Sequence, residues 1–522
     1  MYDLVLLNAN VITMDPSMPR ARLVGVRGGR IVEVSKEGRV DTTDALGTKT
    51  IDCGGRTVLP GFIDAHCHVA AYAQSLAVLG LSPRDNIDSI AGIQDRISEA
   101  CQGRAPGAWV RGRGYDEFSL SEQRHPDRRD LDAAAPLHPV KLTHRSGHAH
   151  VLNSLALKEV GITAETGDPP GGLIDRHART GEPTGILFGM GGYLARRAPP
   201  LDDREMEEGL SLASRKLLSF GITSVQDASA HNDLRKWRRF GDWIGRALFT
   251  PRVTMMMGLK GFLAWQEQAY PPFVERDRLK VGGVKIVATE TTGSLYPDQK
   301  TLGENLQAIH ASGLQAVVHA VEEPVIEAAC LAIEHAQTAH PPRDHRHRIE
   351  HCSVCPPSLV KRIRDQGIIV VTQPSFIYYN GDRYLSTVPE RQQRYLYPIG
   401  SLAARGVPVA FSSDFPVSEP NPLAGVYAAA FRQTKAGRSV LPEEGVGMFE
   451  ALRMYTLSAA ESAFEEKEKG SIALGRLADL VVLGEDPFEA DAARVKDIPV
   501  EMTIMNGEVV WSLETPTLRT TR

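Results

Sequence analysis

The chain has 522 residues, 42% hydrophobic and 24% charged, with 47 Gly and 33 Pro; this length predicts roughly three or four domain-sized units, or one large barrel with appendages, and excludes a disordered or fibrous chain. A formal net charge of -5 leaves no basic surplus to neutralise a phosphate backbone or an anionic membrane, so neither nucleic acid nor membrane is an expected partner. Six scattered cysteines (Cys53, Cys67, Cys101, Cys330, Cys352, Cys355) are too sparse for a disulfide framework, and the opening MYDLVLLNANVITMDP reads as strand rather than signal peptide, so a soluble cytoplasmic protein is expected.

The first sixty residues alternate apolar segments with turns, as in DLVLLNANVIT and ARLVGVRGGRIVEVS, and predict short antiparallel strands. The last sixty repeat that texture, with Asn506-Gly507 as a hairpin signal. Neither end makes a core alone, so residues 1–57 and 461–522 are expected to combine into one β-sandwich. From about residue 204 to 460, β-rich runs alternate with helical patterns. Seven of these runs, beginning at Ile222, Arg252, Val281, Leu314, His347, Ile368 and Pro408, join TVLPGFIDAHCH (Thr57 to His68) to make eight strands. The expected fold is α/β: a (β/α)8 barrel over residues 58–74 and 205–460. Residues 75–204, with loop-rich segments such as RGRGYDEFSL, are too long for a βα connection and are expected to be an insertion covering the catalytic face. The charge runs EEKEK (Glu465 to Lys469) and RDHRHR (Arg343 to Arg348) read as solvated segments.

Polar residues interrupt the ends of these strands. His66 and His68 are two apart on the first strand, so alternation turns both imidazoles to one face. Lys285 sits inside the apolar run VGGVKIVAT, where an ammonium is costly unless paired, neutralised or modified. His319 closes LQAVVHA, His351 closes HRIEHC and Asp414 ends PVAFSSD. Each has a bland reading as a satisfied core histidine or a helix cap. Together they place six metal-competent groups at one end of one barrel, which points to a metal site. Nitrogen and oxygen ligands without thiolate favour Zn2+, with Mn2+ or Fe2+ as substitutes. Cys352 and Cys355 form a C-x-x-C with no second pair, so they read as structural. QPSFIYYNGDRY, after strand seven, is expected to be a loop whose Phe376, Tyr378 and Tyr379, with Phe415, pack the core or wall a pocket for a small, partly apolar or aromatic substrate.

The segments PGFIDAHCH, VKIV, VVHAV, RIEHC and SSDFPVSEPNPL, with HPDRRDLDAAAPLHPV, SGHAHVLNSLAL and GSIALGRLADLVVLGEDP in order along nearly the whole chain, resemble the amidohydrolase superfamily and its YtcJ-like branch, which includes N-substituted formamide deformylases. The resemblance implies two metals: His66 and His68 on one, His319 and His351 on the other, with Lys285 bridging as a carbamate and Asp414 binding metal and handling the proton. It implies that His148 faces the substrate and polarises its carbonyl oxygen, and that the chain forms a homodimer or larger homo-oligomer. It implies hydrolysis of a non-peptide carbon-nitrogen bond in an amide, formamide or cyclic amide. Two departures border the site. The branch's Asp-Gly-Ser after the lysine is replaced within ATETTGSLYP, where Glu290, Thr291 and Thr292 stand, and Glu322-Glu323 replace a glycine-aspartate. A zinc-dependent deaminase of a ring substrate and a catalytically silent metal-binding regulatory relative are the alternatives.

Overall fold

Eight parallel strands form one continuous sheet: β1 (Phe62–Cys67), β2 (Ile222–Asp227), β3 (Arg252–Gly258), β4 (Leu279–Val287), β5 (Ala316–Ala320), β6 (Arg348–His351), β7 (Ile369–Thr372) and β8 (Val409–Phe411). The computed structural model describes residues 2–37, 48–169, 172–267, 278–291, 294–340, 344–514 and 519–520. Strands follow one another around the sheet in chain order, as right-handed βα crossovers dictate. Near-continuous burial along β1, β2, β3 and β7 is the mark of a parallel sheet covered on both faces. No ladder joins β8 to β1, but beyond their ends the Asp414 amide donates to His66 O at 3.0 Å and the His68 amide to Phe415 O at 3.0 Å. The barrel is thereby nearly closed at the end where the strands finish, which is where barrel enzymes carry their chemistry.

The first expected strand is two. Thr57–Pro60 pairs with Leu480–Leu483 and with Asn10–Ile12 in a terminal sheet, and only Phe62–Cys67 enters the barrel. Gly61 makes the break, since a Cβ there would lie 2.3 Å from Thr223 Oγ1. Strands from the two ends of the chain make up a five-stranded and a six-stranded sheet. One buried cluster draws on both ends, from Leu4, Val24 and Val58 to Leu480 and Ile504.

The chain divides into two compact units, Met1–Val69 with Ala213–Arg522, and Ala70–Leu212. The second unit has far more regular structure than its loop-rich sequence suggests. It holds a six-stranded mixed sheet, including Val110–Tyr115, Val140–His144 and Ala149–Leu152, over clusters centred on Ile93, Ile97 and Leu142 and on Leu157, Leu187 and Leu194.

Both charge runs depart from expectation. Glu465 and Lys469 are buried and paired at 2.9 Å, with Thr254 Oγ1 donating to Glu465 at 3.0 Å and Lys469 Nζ to Ser224 Oγ at 3.0 Å. Opposite charges four residues apart neutralise each other against hydroxyls of β2 and β3, so a charged segment can be taken out of water. In RDHRHR, Arg343 lies outside the described residues, while His345, His347 and Arg348 are buried and Arg348 opens β6. QPSFIYYNGDRY is not a loop: Ser375–Thr387 is a helix. No helix among the described residues is long and apolar enough to cross a membrane.

Candidate metal centre

Strand β1 carries Asp64 and His66, with His68 just past its end, and alternation places all three on one face. His66 is buried, and its ring lies 5.5 Å from that of His68 and 4.9 Å from that of His351, centroid to centroid. His351 lies 4.4 Å from His319 by the same measure. Regular alternation would send the adjacent Glu350 and His351 to opposite faces. Positive φ at His351 (73°) and Cys352 (50°) ends the strand abruptly, and both side chains reach the His66 ring. Asp414, also at positive φ (57°), follows β8 and sets its Oδ1 3.1 Å from His68 Nε2 and 3.7 Å from His66 Nε2. Strained backbone gathered at one end of a barrel marks a functional region.

The protonation of this group is set by burial. Burial, then the positive charge of Lys285, holds His66 well below its ordinary value. His351 is held low by burial and then by His66 and His319. Burial, then Lys285, lowers His319 to about 4. Lys285 is lowered to about 8 by burial, against the opposing pull of Glu350 and Asp414. Three neutral imidazoles and a lysine whose burial makes its proton easier to lose therefore gather beside Asp414, and deprotonated nitrogens are what a cation requires.

Whether these residues fit a metal is answered by their unmet valences. Lys285 Nζ, His351 Nε2 and Asp414 Oδ1 are all buried and lack a hydrogen-bond partner among the described residues. One orphaned buried polar atom costs about 1–3 kcal/mol. Three such atoms at one end of the barrel fit a group that could hold a cation. Ligand atoms of His66, His351 and Asp414 all lie within 4.8 Å of one another. The donor set is nitrogen and oxygen, which fits Zn2+ or a similar divalent ion.

Sequence reading missed the residues that hold this group. Glu350, fully buried, contacts His66 Nδ1 through Oε2 and is gripped by Arg348, Nε to Oε1 at 2.8 Å and Nη2 to Oε2 at 3.0 Å. Gln373 Oε1 takes His351 Nδ1 at 2.8 Å, and Ser229 Oγ lies 3.1 Å from His68 Nδ1. Asp64 accepts from the Ser413 hydroxyl at 2.6 Å and the Ser413 amide at 3.2 Å, tying β1 to the segment carrying Asp414. Burial pushes the Asp64 carboxyl up to about 7. The available signal was an acidic residue two before or one before a strand-end histidine, in otherwise apolar runs.

The other expected residues are placed differently. Phe415 is fully buried, and Phe376 packs with Ile377, Tyr397 and Val440. Tyr378 and Tyr379 are half-buried, with Tyr379 OH donating to Glu419 at 3.3 Å. His148 is exposed in the second unit, between Val140–His144 and Ala149–Leu152. Cys352 and Cys355 are buried free thiols in contact with each other, with no thiol pair beside them to complete a four-thiolate site among the described residues. After Lys285 the chain turns through a ribbon, Thr289–Thr291 against Ser294–Tyr296, with Glu290 exposed; Thr292 lies outside the described residues. Glu322 and Glu323 stand at the start of the helix Glu323–Ala339.

A family model described as "Amidohydrolase family" matches residues 49–511. The chain belongs to the amidohydrolase family. Within it, an N-substituted formamide deformylase of Arthrobacter pascens is 32% identical over 97% of this chain and 98% of its own. The amidohydrolase YtcJ of Bacillus subtilis, described as putative, is 28% identical over 89% of this chain and 90% of its own, placing this amidohydrolase in the YtcJ-like branch. An uncharacterized metal-dependent hydrolase from Pyrococcus furiosus superposes with a TM-score of 0.74 at 23% identity, over 93% of this chain and all of the other, and supports the fold alone.

Proposed function

We propose that this amidohydrolase is a metal-dependent hydrolase of a non-peptide carbon-nitrogen bond in a small amide, N-substituted formamide or cyclic amide. The observation that carries the reading is the convergence of three orphaned buried atoms, Lys285 Nζ, His351 Nε2 and Asp414 Oδ1, beside neutral histidines at the finishing ends of the barrel strands. His66 and His68 would hold one cation and His319 and His351 a second, with Lys285 between them and Asp414 completing the set. Bound divalent cations supply Lewis acidity that brings the pKa of water toward neutrality. The buried amine of Lys285 can attack carbon dioxide and lose a proton, giving a carbamate whose two oxygens suit a bridging role. The Asp414 carboxylate takes the proton of the attacking water as its oxygen bonds to the carbonyl carbon. It then delivers that proton to the nitrogen as the carbon-nitrogen bond breaks, so that a formamide and water give formate and an amine.

With Phe415 and Phe376 buried in the core, the aromatic wall narrows to Tyr378 and Tyr379. A substrate-facing role for His148 rests on its SGHAHVLNS motif. The terminal sheets form the β-sandwich expected of residues 1–57 and 461–522, carried on to Pro60, and 75–204 form the insertion.

The test is metal analysis of protein purified without chelator, with a panel of formamides, small amides and ring amidines. About two equivalents of metal per chain, as two-metal hydrolytic sites hold, with formate and amine released and chelation abolishing turnover, is the expected result. Ammonia from a ring substrate without a new carboxylate makes the chain a deaminase. Neither metal nor turnover after reconstitution makes it a silent relative.

A further inference from the structure

The histidines of the centre are not braced alike. His351 leans on a neutral amide, Gln373, at 2.8 Å, and His68 on a neutral hydroxyl, Ser229, at 3.1 Å. His66 alone of these three leans on a carboxylate, that of Glu350, through Nδ1. Glu350 is fully buried, a position too costly for a lone carboxylate. Arg348, two residues earlier on the same face of β6, supplies the compensating charge through a fork, Nε to Oε1 at 2.8 Å and Nη2 to Oε2 at 3.0 Å. Arg348 is itself fixed by Ala65 O on β1 at 2.8 Å and by Gln226 on β2, whose Nε2 donates to Ala459 O at 2.7 Å. The carboxylate is therefore held by the guanidinium in a rigid frame spanning three strands.

With Arg348 donating to both of its oxygens, Glu350 acts as an acceptor, so His66 Nδ1 carries the ring proton and Nε2 faces Asp414 Oδ1, 3.7 Å away. We propose that Glu350 is a positioning residue that locks His66 in the Nδ1–H tautomer and makes it a more electron-rich imidazole than His68 or His351, so that the His66/His68 position binds its cation more tightly than the His319/His351 position. The inference rests on the metal-binding reading above. Physically, a carboxylate on the distal nitrogen pulls the proton toward itself and raises the donor strength of the ligating nitrogen, whereas an amide or hydroxyl does so far less.

The experiment is zinc titration of metal-free protein against a chromophoric chelator, comparing wild type, Glu350→Gln and Gln373→Leu, with far-UV circular dichroism on each. Wild type is expected to show two binding steps. Glu350→Gln weakens the tighter step by about 10–100-fold and Gln373→Leu the weaker one. Because Glu350→Gln leaves the Arg348 charge buried, the double variant Arg348→Met/Glu350→Gln is measured alongside. It removes both charges while keeping an acceptor for His66, and is expected to fold and to show the same weakened step. A folded variant, single or double, whose tighter step stays within about threefold of wild type, well inside the expected effect, overturns the assignment and leaves Glu350 a structural ion pair. Wild type that takes up no zinc defeats the metal-binding reading itself, and this inference with it.

Discussion

Gln373 Oε1 lies 2.8 Å from His351 Nδ1, and the amide cannot turn over, because its Nε2 donates to Ser412 Oγ at 2.9 Å while that hydroxyl is directed at Thr372 O, 3.3 Å away. The chain of donors runs from His351 Nδ1–H through Gln373 and Ser412 to the acceptor Thr372 O on β7, which fixes a proton on His351 Nδ1 and leaves Nε2 as the buried orphan. Replacing Gln373 by leucine keeps the volume and removes the acceptor, so the ring loses its preferred tautomer. The expected outcome is a 10–100-fold weaker affinity for one cation, with secondary structure unchanged, measured by zinc competition and circular dichroism.

Asp414→Asn separates chemistry from folding. Asp414 has φ of 57°, a left-handed conformation that asparagine tolerates as well as aspartate, so the backbone at the end of β8 should survive. The amide cannot take a proton from water. Turnover should fall by roughly 10²–10⁴-fold, the usual contribution of general acid-base catalysis. Steady-state kinetics on protein of known metal content check this, and an unchanged rate with metal in place removes Asp414 from proton transfer.

How much of this could be read from residues alone follows from where charge and glycine fall. The barrel was legible because its strands are runs of apolar β-formers, and the candidate ligands stood out because each interrupts such a run, Lys285 within it and the others at or just past its end. The second unit was not. Its strand VRGRGY looks like a loop, yet Gly112 is there because a Cβ would lie 2.5 Å from Leu81 Cδ1, so close packing and not flexibility selects it. Glu465, Lys469 and Arg348 look solvated because the groups that receive them, Ser224 and Thr254 for the Glu465–Lys469 pair and Ala65 and Gln226 for Arg348, lie on strands far away in sequence. Glu350 was missed for the same reason: its partner His66 is 284 residues away.

The buried histidines of the RDHRHR segment predict acid sensitivity. The Ala316 amide donates to His347 Nδ1 at 2.9 Å, which leaves the ring proton on Nε2, directed at His310 Nδ1 at 2.8 Å. The His345 ring lies against that of His310, tilted by 39° with centroids 3.7 Å apart. His310, His345 and His347 are close enough to hold a cation, but with both His347 nitrogens committed the trio works as a hydrogen-bonded chain. Burial, then His345 and His310, lowers His347 to about 3. An unfolded histidine titrates near 6.5, so the native state resists a proton the unfolded chain accepts. Stability is thus fully present above about pH 6.5 and declines as pH falls from there toward 3, by about 1.4 kcal/mol per unit. Going from pH 7.5 to 5 should cost about 2 kcal/mol from this group. Denaturation of metal-free wild type and His347→Gln at both pH values checks it, and the variant should show the smaller pH difference.

A buried ion pair joins the barrel to the terminal sheets. Arg252, opening β3, reaches Asp479 beside Leu480–Leu483, with Nε to Oδ2 at 2.6 Å and Nη2 to Oδ1 at 3.2 Å. Asp479 also accepts from the Asn506 amide at 3.0 Å, and its carbonyl from the Gly61 amide, where the chain passes from terminal sheet to barrel, at 2.8 Å. Side chains of the pair are only 8% and 3% exposed. Asp479→Ala would take this carboxylate away from a buried guanidinium, and breaking one side of such a pair costs about 3–5 kcal/mol. The double change Arg252→Met/Asp479→Leu removes both charges and keeps apolar volume, so it should recover most of that loss, as buried pairs are often matched by packing alone. Chemical denaturation of the three proteins gives the comparison. The pair lies at the starting ends of the strands, away from the histidines, so kcat per folded molecule should be unchanged in both variants. A single variant as stable as wild type would show that solvent reaches Arg252.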